Sequence, residues 1–303
     1  MEKLKHNLLT VYKKYDYLNL KGERPLIKIL VSYIKPSFLF KSEILTPIHL
    51  GRAVESDTSK DGLISGDDIK WLHENCIGDD GFEGNISGVN RRVGFLTGTY
   101  WAWKNYEKLG NPEYFGSFGY RRLFSSSFIK NIKHNDFIAP FPVDFSKTGG
   151  TIHEHIKKLH GEKLLNEMYS VVKKIYPTEV ELFSIYMHSN KSYSYEMYVM
   201  KKKLFFDFCE WIFPILFEFL KIDFIENSVN SLEAAYFSEI GEKRDVAYAM
   251  EFITGYYIYK ITNNPNIKYE NANIVNIKSV EQNNRRNQII TRILRNKVKN
   301  ERI

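Results

Sequence analysis

Hydrophobic positions in the first half of the chain are grouped as they are in buried strands. Residues 25–36 have a continuous apolar, β-branched centre closed by a proline, which predicts a strand inside a parallel sheet. Shorter runs of the same kind predict three more strands, within residues 43–51, 113–120 and 135–145. Leu96, Tyr100 and Trp103 recur at the spacing of one helix face. Strands that alternate with helices predict an α/β sheet.

The second half of the chain has the periodicity of helices. Apolar residues recur every three or four positions in residues 151–175, 199–221 and 234–261. Pro214 lies inside the second of these segments and is expected to kink the helix. The sequence therefore predicts a largely helical C-terminal half.

These patterns predict one domain over residues 1–262, with an α/β part at about 25–150 and a helical part at about 151–262. Residues 263–303 are expected to form an Asn-rich linker and a basic tail. From Arg285 onward there are seven basic residues and one acidic residue, so the tail carries most of the formal charge of +7. Because the rest of the chain is nearly neutral, a nucleic-acid partner is not favoured.

The basic tail is amphipathic when it is drawn as a helix. One face collects its apolar residues, which are Ile289, Ile290, Ile293, Leu294 and Val298. This pattern is typical of a helix that lies on an anionic membrane surface. A helix that docks on the body of the protein or on a second subunit would have the same pattern. Both interpretations stay open at this point.

Composition excludes several classes of protein. Hydrophobic residues make up 43% of the chain, which is ordinary for a globular protein, and two cysteines imply no disulfide framework. The first residues are too charged for a signal peptide, and the longest apolar run, residues 211–217, is too short to cross a bilayer. No phosphate-binding loop, G-x-G-x-x-G turn or G-x-S-x-G elbow is present. We expect a cytoplasmic protein, which would lie peripherally on the inner face of the membrane if the tail binds lipid.

Two stretches contain candidate chemistry. A glycine-rich loop carries Asp79 and Asp80, whose hard oxygen ligands suit Mg²⁺ or Mn²⁺ bound to a nucleotide diphosphate. The chain has no D-x-D motif, so metal dependence stays open. Arg121 and Arg122 follow a strand interrupted by glycines, and arginine forks bind phosphate oxygens through paired hydrogen bonds. The alternative is a purely structural role, in which these arginines form salt bridges with acidic loop residues and connect two loops.

Six ordered motifs carry a resemblance to a known family. They are IKILVSYIKP, TPIHLGRA, GDD followed by GNIS, LTGTYWAWKN, YFGSFGYRRLF and NDFIAPFPV. In this order they resemble a bacterial glycosyltransferase family, catalogued as a domain of unknown function, from capsule, exopolysaccharide and lipopolysaccharide loci. The helical half resembles the same family down to the spacing of Arg244 and Glu251. The resemblance covers about residues 26–260.

The resemblance implies a GT-A-like fold, with a single Rossmann-type sheet, and transfer of a sugar from a nucleotide donor. A UDP-hexose, with galactose in pyranose or furanose form, is the expected donor, and a surface polysaccharide or lipid-linked glycan the acceptor. Residues expected to bind the donor are Ser32, Tyr33, Asp79, Asp80, Asn85, Thr97, Lys104, Tyr120, Arg121 and Arg122. Arg244 and Tyr256 are expected on the acceptor side. Glu251 is the expected catalytic base of an inverting transfer, with Asp245 and Glu196 in reserve.

Four positions depart from the family pattern. Gly119 and Ile34 stand where the pattern has histidines, Phe95 where it has a glutamate, and Glu196 where it has an asparagine. Either the substrate differs from that of the commoner members or activity has drifted. A binding or scaffolding protein without catalysis, or a nucleic-acid binder that acts through the tail, is the competing class.

Overall fold

A nine-stranded mixed sheet runs through the protein, with helices packed against it. The computed structural model describes residues 2–57, 63–146, 150–193, 195–222 and 244–277. The strands of the described residues are β1 Ile27–Tyr33, β2 Leu45–His49, β3 Ile77–Gly78, β4 Tyr114–Gly119, β5 Arg122–Phe124, β6 Phe137–Pro140, β7 Val143–Asp144, β8 Lys191–Ser192, β9 Tyr198–Lys201, β10 Tyr269–Ala272 and β11 Ile274–Asn276.

The centre of the sheet is parallel and its order is β10-β6-β9-β4-β1-β2-β3. Strand β1 pairs in parallel with β2 on one side and β4 on the other. Strand β9 pairs antiparallel with both β4 and β6. Strand β5 branches from β4 and pairs with β11, and β7 and β8 form a separate pair. The α/β fold expected from the sequence is confirmed.

The helices of the described residues are α1 Glu2–Lys13, α2 Tyr17–Leu20, α3 Gly66–Asn75, α4 Asn90–Val93, α5 Leu96–Lys104, α6 Ile152–Ile175, α7 Val180–Met187, α8 Lys202–Phe219 and α9 Asp245–Thr262. Ser65 and Thr151 cap α3 and α6 through reciprocal side-chain bonds with the third residue of each helix. Helix α6 is interrupted at Gly161, which has a positive φ of 85°. Pro214 lies inside α8, which continues to Phe219.

Side chains of β1 alternate between two hydrophobic cores, one on each face of the sheet. Ile29 and Val31 pack into one core and Leu30 into the other, and all three are buried. The core around Leu30 also contains the apolar faces of helices α5 to α9. The other core includes the buried residues of α1. A strand buried on both faces has the continuous apolar run that predicts it in the sequence.

The segment that follows helix α9 differs from the sequence-based prediction. Residues 263–276, expected as a linker, contain β10 and β11, which pair with β6 and β5. The polar, Asn-rich composition hides these strands because they pair through backbone groups at the margin of the sheet. The basic tail at residues 285–303 lies outside the described residues. Among the described helices, none is both long enough and apolar enough to cross a bilayer.

Candidate active site

A cavity of about 360 Å³ opens where β1 and β4 end, next to the start of α9. Its lining comprises Ser32, Ile34, Leu50, Asn90, Gly94, Phe95, Gly119, Tyr120, Arg121, Arg122, Tyr195, Glu196, Met197, Arg244, Tyr248 and Glu251. Carboxyl ends of parallel strands are where α/β sheets bind ligands. Three arginines and two glutamates face one small space, which suits an anionic ligand that carries hydroxyl groups.

The arginine pair lies at the turn between β4 and β5. The Arg121 guanidinium lies 5.2 Å from the ring centroid of Tyr120, whose ring stacks on Tyr33 at 5.3 Å. Arg122 donates from Nε to the Asn276 side chain at 3.2 Å. Burial lowers the pKa of Arg122 from its ordinary value, and nearby Arg121 adds to that effect. Arginine remains charged at physiological pH, so two cations are fixed at this wall of the cavity.

A strained turn at Tyr195 and Glu196 connects the arginine wall to α9. Both residues have positive φ, 80° and 49°, although neither is glycine. The Tyr195 amide donates to Oε1 of Glu251 at 2.9 Å. The Tyr195 ring also lies under the Arg122 guanidinium, 4.4 Å from centroid to Cζ. One turn therefore contacts both the cationic wall and the carboxylate on the helix.

Helix α9 provides the opposite wall. Arg244 lies at its N-cap position, and Tyr248 and Glu251 follow at intervals of four and three residues, which places all three on one face. Gly94, with φ of 60°, leaves room for this wall because a Cβ there would lie 3.1 Å from Nη2 of Arg244. The Tyr248 ring stacks on His160 at 4.3 Å.

Glu196 is the second carboxyl group of the cavity. Among the described residues, its Oε1 atom is buried and has no hydrogen-bond partner. Burial first, and then the negative charge of Glu251, raise the pKa of Glu196 well above its usual range, while Arg244 acts in the opposite direction. The two carboxyl groups therefore differ in their surroundings: burial favours the neutral form of Glu196, whereas Glu251 accepts a backbone hydrogen bond.

The four positions at which the resemblance implies other residues all line the cavity. They are Ile34, Phe95, Gly119 and Glu196. Gly119 leaves space, since the nearest atom to a Cβ built there is Cε2 of Phe95 at 3.9 Å. Gly116, on the same strand, packs closely against β1 and β9, with Ile29, Tyr198 and Val199 all within about 3 Å of a built Cβ.

The acidic loop does not reach the cavity. Both oxygens of the buried Asp79 carboxylate are used within the fold, by the backbone amides of Gly51 and Arg52 and by the Ser87 hydroxyl. Asn85 holds the same loop by donating to the backbone oxygens of Asp80 and Phe82. Neither Asp79, Asp80 nor Asn85 lines the cavity. The Asp79 carboxylate is thus used inside the fold, and a divalent ion at Asp79 and Asp80 stays a prediction.

Other expected site residues are also placed outside the lining. Tyr33 is buried and uses its hydroxyl on the backbone of Phe38 and Phe40. Thr97 is buried and bonded to Asn90, directly behind the wall. The remaining three are Lys104, which lies exposed above the Trp103 ring, Tyr256, which is buried against Glu179, and Asp245, the first residue of α9. The structure thus brings together Ser32, Tyr120, Arg121, Arg122, Glu196, Arg244 and Glu251.

One group with metal-binding side chains lies elsewhere among the described residues. It consists of His49, Glu55 and His73, whose ligand atoms all lie within 4.8 Å of one another. Arg52 donates from Nε to Nδ1 of His49 at 3.4 Å, so a guanidinium already occupies this neighbourhood. Burial, with Arg52 second, lowers the pKa of His49 to about 3. His73 Nε2 also lies 2.8 Å from Oε2 of Glu55, so hydrogen bonds already connect the members of this group.

Sequence reasoning missed several lining residues, notably Asn90, Gly94, Tyr195 and Tyr248. Tyr248 could have been found, since it follows Arg244 by one helical turn and precedes Glu251 by three residues. Tyr195 has no such signal. It reaches the site only because the turn before β9 adopts a left-handed conformation.

Comparison with known proteins gives one family and one solved structure. The family described as "Domain of unknown function (DUF4422)" matches residues 28–260. The solved structure of the WbbM bifunctional glycosyltransferase, in its apo form, is similar with a TM-score of 0.66 and 22% sequence identity. The similarity covers 84% of this chain and 45% of WbbM, so the chain spans less than half of that protein's length. Comparison with curated protein sequences gives no match.

Proposed function

The chain belongs to the DUF4422 family, and from its cavity we propose that it is a glycosyltransferase that moves a hexosyl group from a nucleotide sugar to a glycan. The observation that carries this proposal is one cavity, at parallel strand ends, in which two fixed arginines face a carboxylate across a small space. The fold similarity to WbbM, a bifunctional glycosyltransferase, agrees with it.

In such a transfer the bond between the anomeric carbon and the diphosphate breaks, and negative charge collects on the departing diphosphate. Arg121 and Arg122 would bind this group through charged hydrogen bonds. Cations fixed in advance at a partly buried wall stabilise the developing charge without reorganisation. Their closeness to the end of β1, at Ser32, favours a nucleotide that lies across the strand ends.

In an inverting transfer, a base takes the proton from the acceptor hydroxyl while its oxygen bonds to the anomeric carbon. Glu251 would take this role: the Tyr195 amide donates to one carboxylate oxygen, and the other oxygen would receive the proton. Arg244, on the same helix face, would bind the acceptor side. We propose a UDP-hexose donor, such as UDP-galactose in pyranose or furanose form, and a surface polysaccharide or lipid-linked glycan acceptor.

The four departures from the family pattern favour a changed substrate over a loss of activity. They replace polar groups with Ile34, Phe95 and Gly119 and introduce Glu196, all in the lining of one cavity. The arginine pair and Glu251 are kept beside them. A lining that changes in shape and polarity around retained charged groups is typical of altered specificity.

Binding of UDP tests the proposal. Arg121→Ala or Arg122→Ala should weaken UDP affinity by about 1.5–3 kcal/mol, roughly 10- to 150-fold, because each removes charged hydrogen bonds to the diphosphate. Titration calorimetry on the folded variants measures this loss. The matched control is Arg24→Ala, which removes an exposed arginine and should leave affinity unchanged.

Two results would contradict the proposal. Unchanged UDP affinity in both variants would remove the arginines from the site. Absence of UDP binding, together with RNA or DNA binding that is lost when residues 285–303 are deleted, would favour the nucleic-acid binder instead.

A further inference from the structure

The turn at Tyr195 and Glu196 is costly for the fold. Two consecutive non-glycine residues in the left-handed region each cost on the order of 1–3 kcal/mol and persist only where surrounding contacts impose them. Here those contacts are the 2.9 Å hydrogen bond from the Tyr195 amide to Glu251 and the Arg122 guanidinium on the Tyr195 ring. Such outliers occur most often at binding and catalytic sites.

These two contacts show where the turn lies relative to the substrates of the proposed reaction. In the proposed reaction the diphosphate binds at Arg121 and Arg122, and Glu251 activates the acceptor hydroxyl. The transferred sugar must lie between them, because its anomeric carbon is bonded to the diphosphate and attacked by the acceptor. The turn contacts Arg122 on one side and Glu251 on the other, so it lies next to the position of the transferred sugar.

The side chain that the turn presents there is Glu196. Its Oε1 atom is buried in the cavity wall and has no hydrogen-bond partner among the described residues. A buried polar atom without a partner costs roughly 1–3 kcal/mol, which a ligand group could recover. A neutral carboxylic acid has one O–H donor and one carbonyl acceptor, and a sugar hydroxyl likewise donates and accepts. Burial and the charge of Glu251 favour that neutral form.

We propose that Glu196 is a specificity-determining residue that exchanges hydrogen bonds with a hydroxyl group of the transferred sugar. The assignment rests on the proposed function and deepens it. It gives the two carboxyl groups separate tasks: Glu251 takes the acceptor proton, and Glu196 recognises the sugar. Sites that hydrogen-bond a substrate hydroxyl discriminate strongly against analogues that lack it.

Calorimetry with UDP and with UDP-hexoses (galactopyranose, galactofuranose and glucose) tests the proposal on the full chain. The wild type should bind at least one UDP-hexose more tightly than UDP. Glu196→Leu, similar in volume but without hydrogen bonds, should weaken that binding by roughly 5- to 100-fold and change UDP affinity by less than about twofold. Glu196→Gln should keep the UDP-hexose affinity within about threefold of the wild-type value, since an amide both donates and accepts hydrogen bonds. Glu210→Gln, at an exposed position on α8, is the control.

Each outcome decides a separate point. A wild type that does not bind UDP contradicts the proposed function. A wild type that binds UDP but binds no UDP-hexose more tightly overturns the role of Glu196 alone, as does a Leu variant with unchanged UDP-hexose affinity. If turnover falls 100-fold in Glu196→Gln while UDP-hexose affinity is unchanged, Glu196 is the base, and its proposed role in sugar recognition is also overturned.

A second measurement does not depend on the Leu variant folding. UDP-hexoses that lack one hydroxyl at a time are titrated into the wild type and into Glu196→Gln. Removal of the recognised hydroxyl should lower wild-type affinity to that of UDP. If no single deoxygenation weakens binding by more than about twofold, the proposal is wrong.

Discussion

Single residues of the same type at this site have different surroundings, and we therefore expect them to differ in function. Glu251 and Glu196 are both glutamates that line one cavity. Glu251 accepts a backbone N–H, while burial raises the pKa of Glu196 and favours its neutral form. A carboxylic acid that burial favours in its neutral form can donate a hydrogen bond to a ligand.

Replacing Glu251 by Gln should lower turnover roughly 10²- to 10⁴-fold, the usual range for a general base, while UDP affinity stays within about threefold. The amide keeps the shape of the side chain and can still accept the Tyr195 N–H, so the turn should persist. Release of UDP from a UDP-hexose in the presence of acceptor measures turnover, with Glu210→Gln as the control. Turnover near the wild-type rate would show that Glu251 is not the base.

Among the elements, those with strong local patterns were predictable. Strand β1 and helices α5, α6 and α8 have apolar positions at the spacing of the structures they form. Strand β9 was missed, because its four residues directly precede α8 and their apolar character merges with the helical pattern. Strands β10 and β11 were missed because a paired, polar strand has no hydrophobic signature.

The site was predictable only where its chemistry is carried by unusual residues. Arg121 and Arg122 stand out after a glycine-interrupted strand, and the cavity contains both. Asp79 attracts the same attention, yet its carboxylate is used to fix the backbone at Gly51 and Arg52. Sequence alone cannot distinguish these two uses, because they depend on which loops pack against each other in the folded chain.

At the level of elements, Gly116 shows how closely β4 packs against its neighbours. A Cβ at this position would lie 2.9 Å from a Val199 methyl group and 3.0 Å from both Ile29 and the Tyr198 carbonyl oxygen. Gly116→Ala should therefore lower the free energy of unfolding by roughly 1–3 kcal/mol, the usual cost of overpacking. Urea denaturation followed by circular dichroism measures the change.

Gly66→Ala is the matched control for that prediction. Gly66 is the first residue of α3, and no atom lies within 4 Å of a Cβ built there. Alanine should leave stability unchanged or raise it by up to about 1 kcal/mol, since it restricts the unfolded chain. Equal stability of the Gly116 and Gly66 variants would contradict the close packing of β4 and β9.

At the level of the whole molecule, residues 269–276 add strands β10 and β11 to the sheet. Strand β10 covers β6 at one end of the strand order, and β11 pairs with β5, the strand that begins at Arg122. The Asn276 side chain accepts the Arg122 Nε–H at 3.2 Å. Residues more than 140 positions apart in the chain thus hold the proposed diphosphate site.

Two truncations separate this contribution from that of the basic tail. Ending the chain after residue 262 removes β10 and β11, exposes the paired edges of β6 and β5, and deletes the buried Ala272 and Ile277. This variant should melt at lower temperature or aggregate, and any folded fraction should bind UDP more weakly because Arg122 loses Asn276. Ending the chain after residue 284 keeps both strands, so this variant should melt at a higher temperature than the shorter one, and it should lose sedimentation with anionic liposomes if the tail is the membrane anchor. Equal melting temperatures for the two truncations would mean that β10 and β11 contribute nothing to the stability of the sheet.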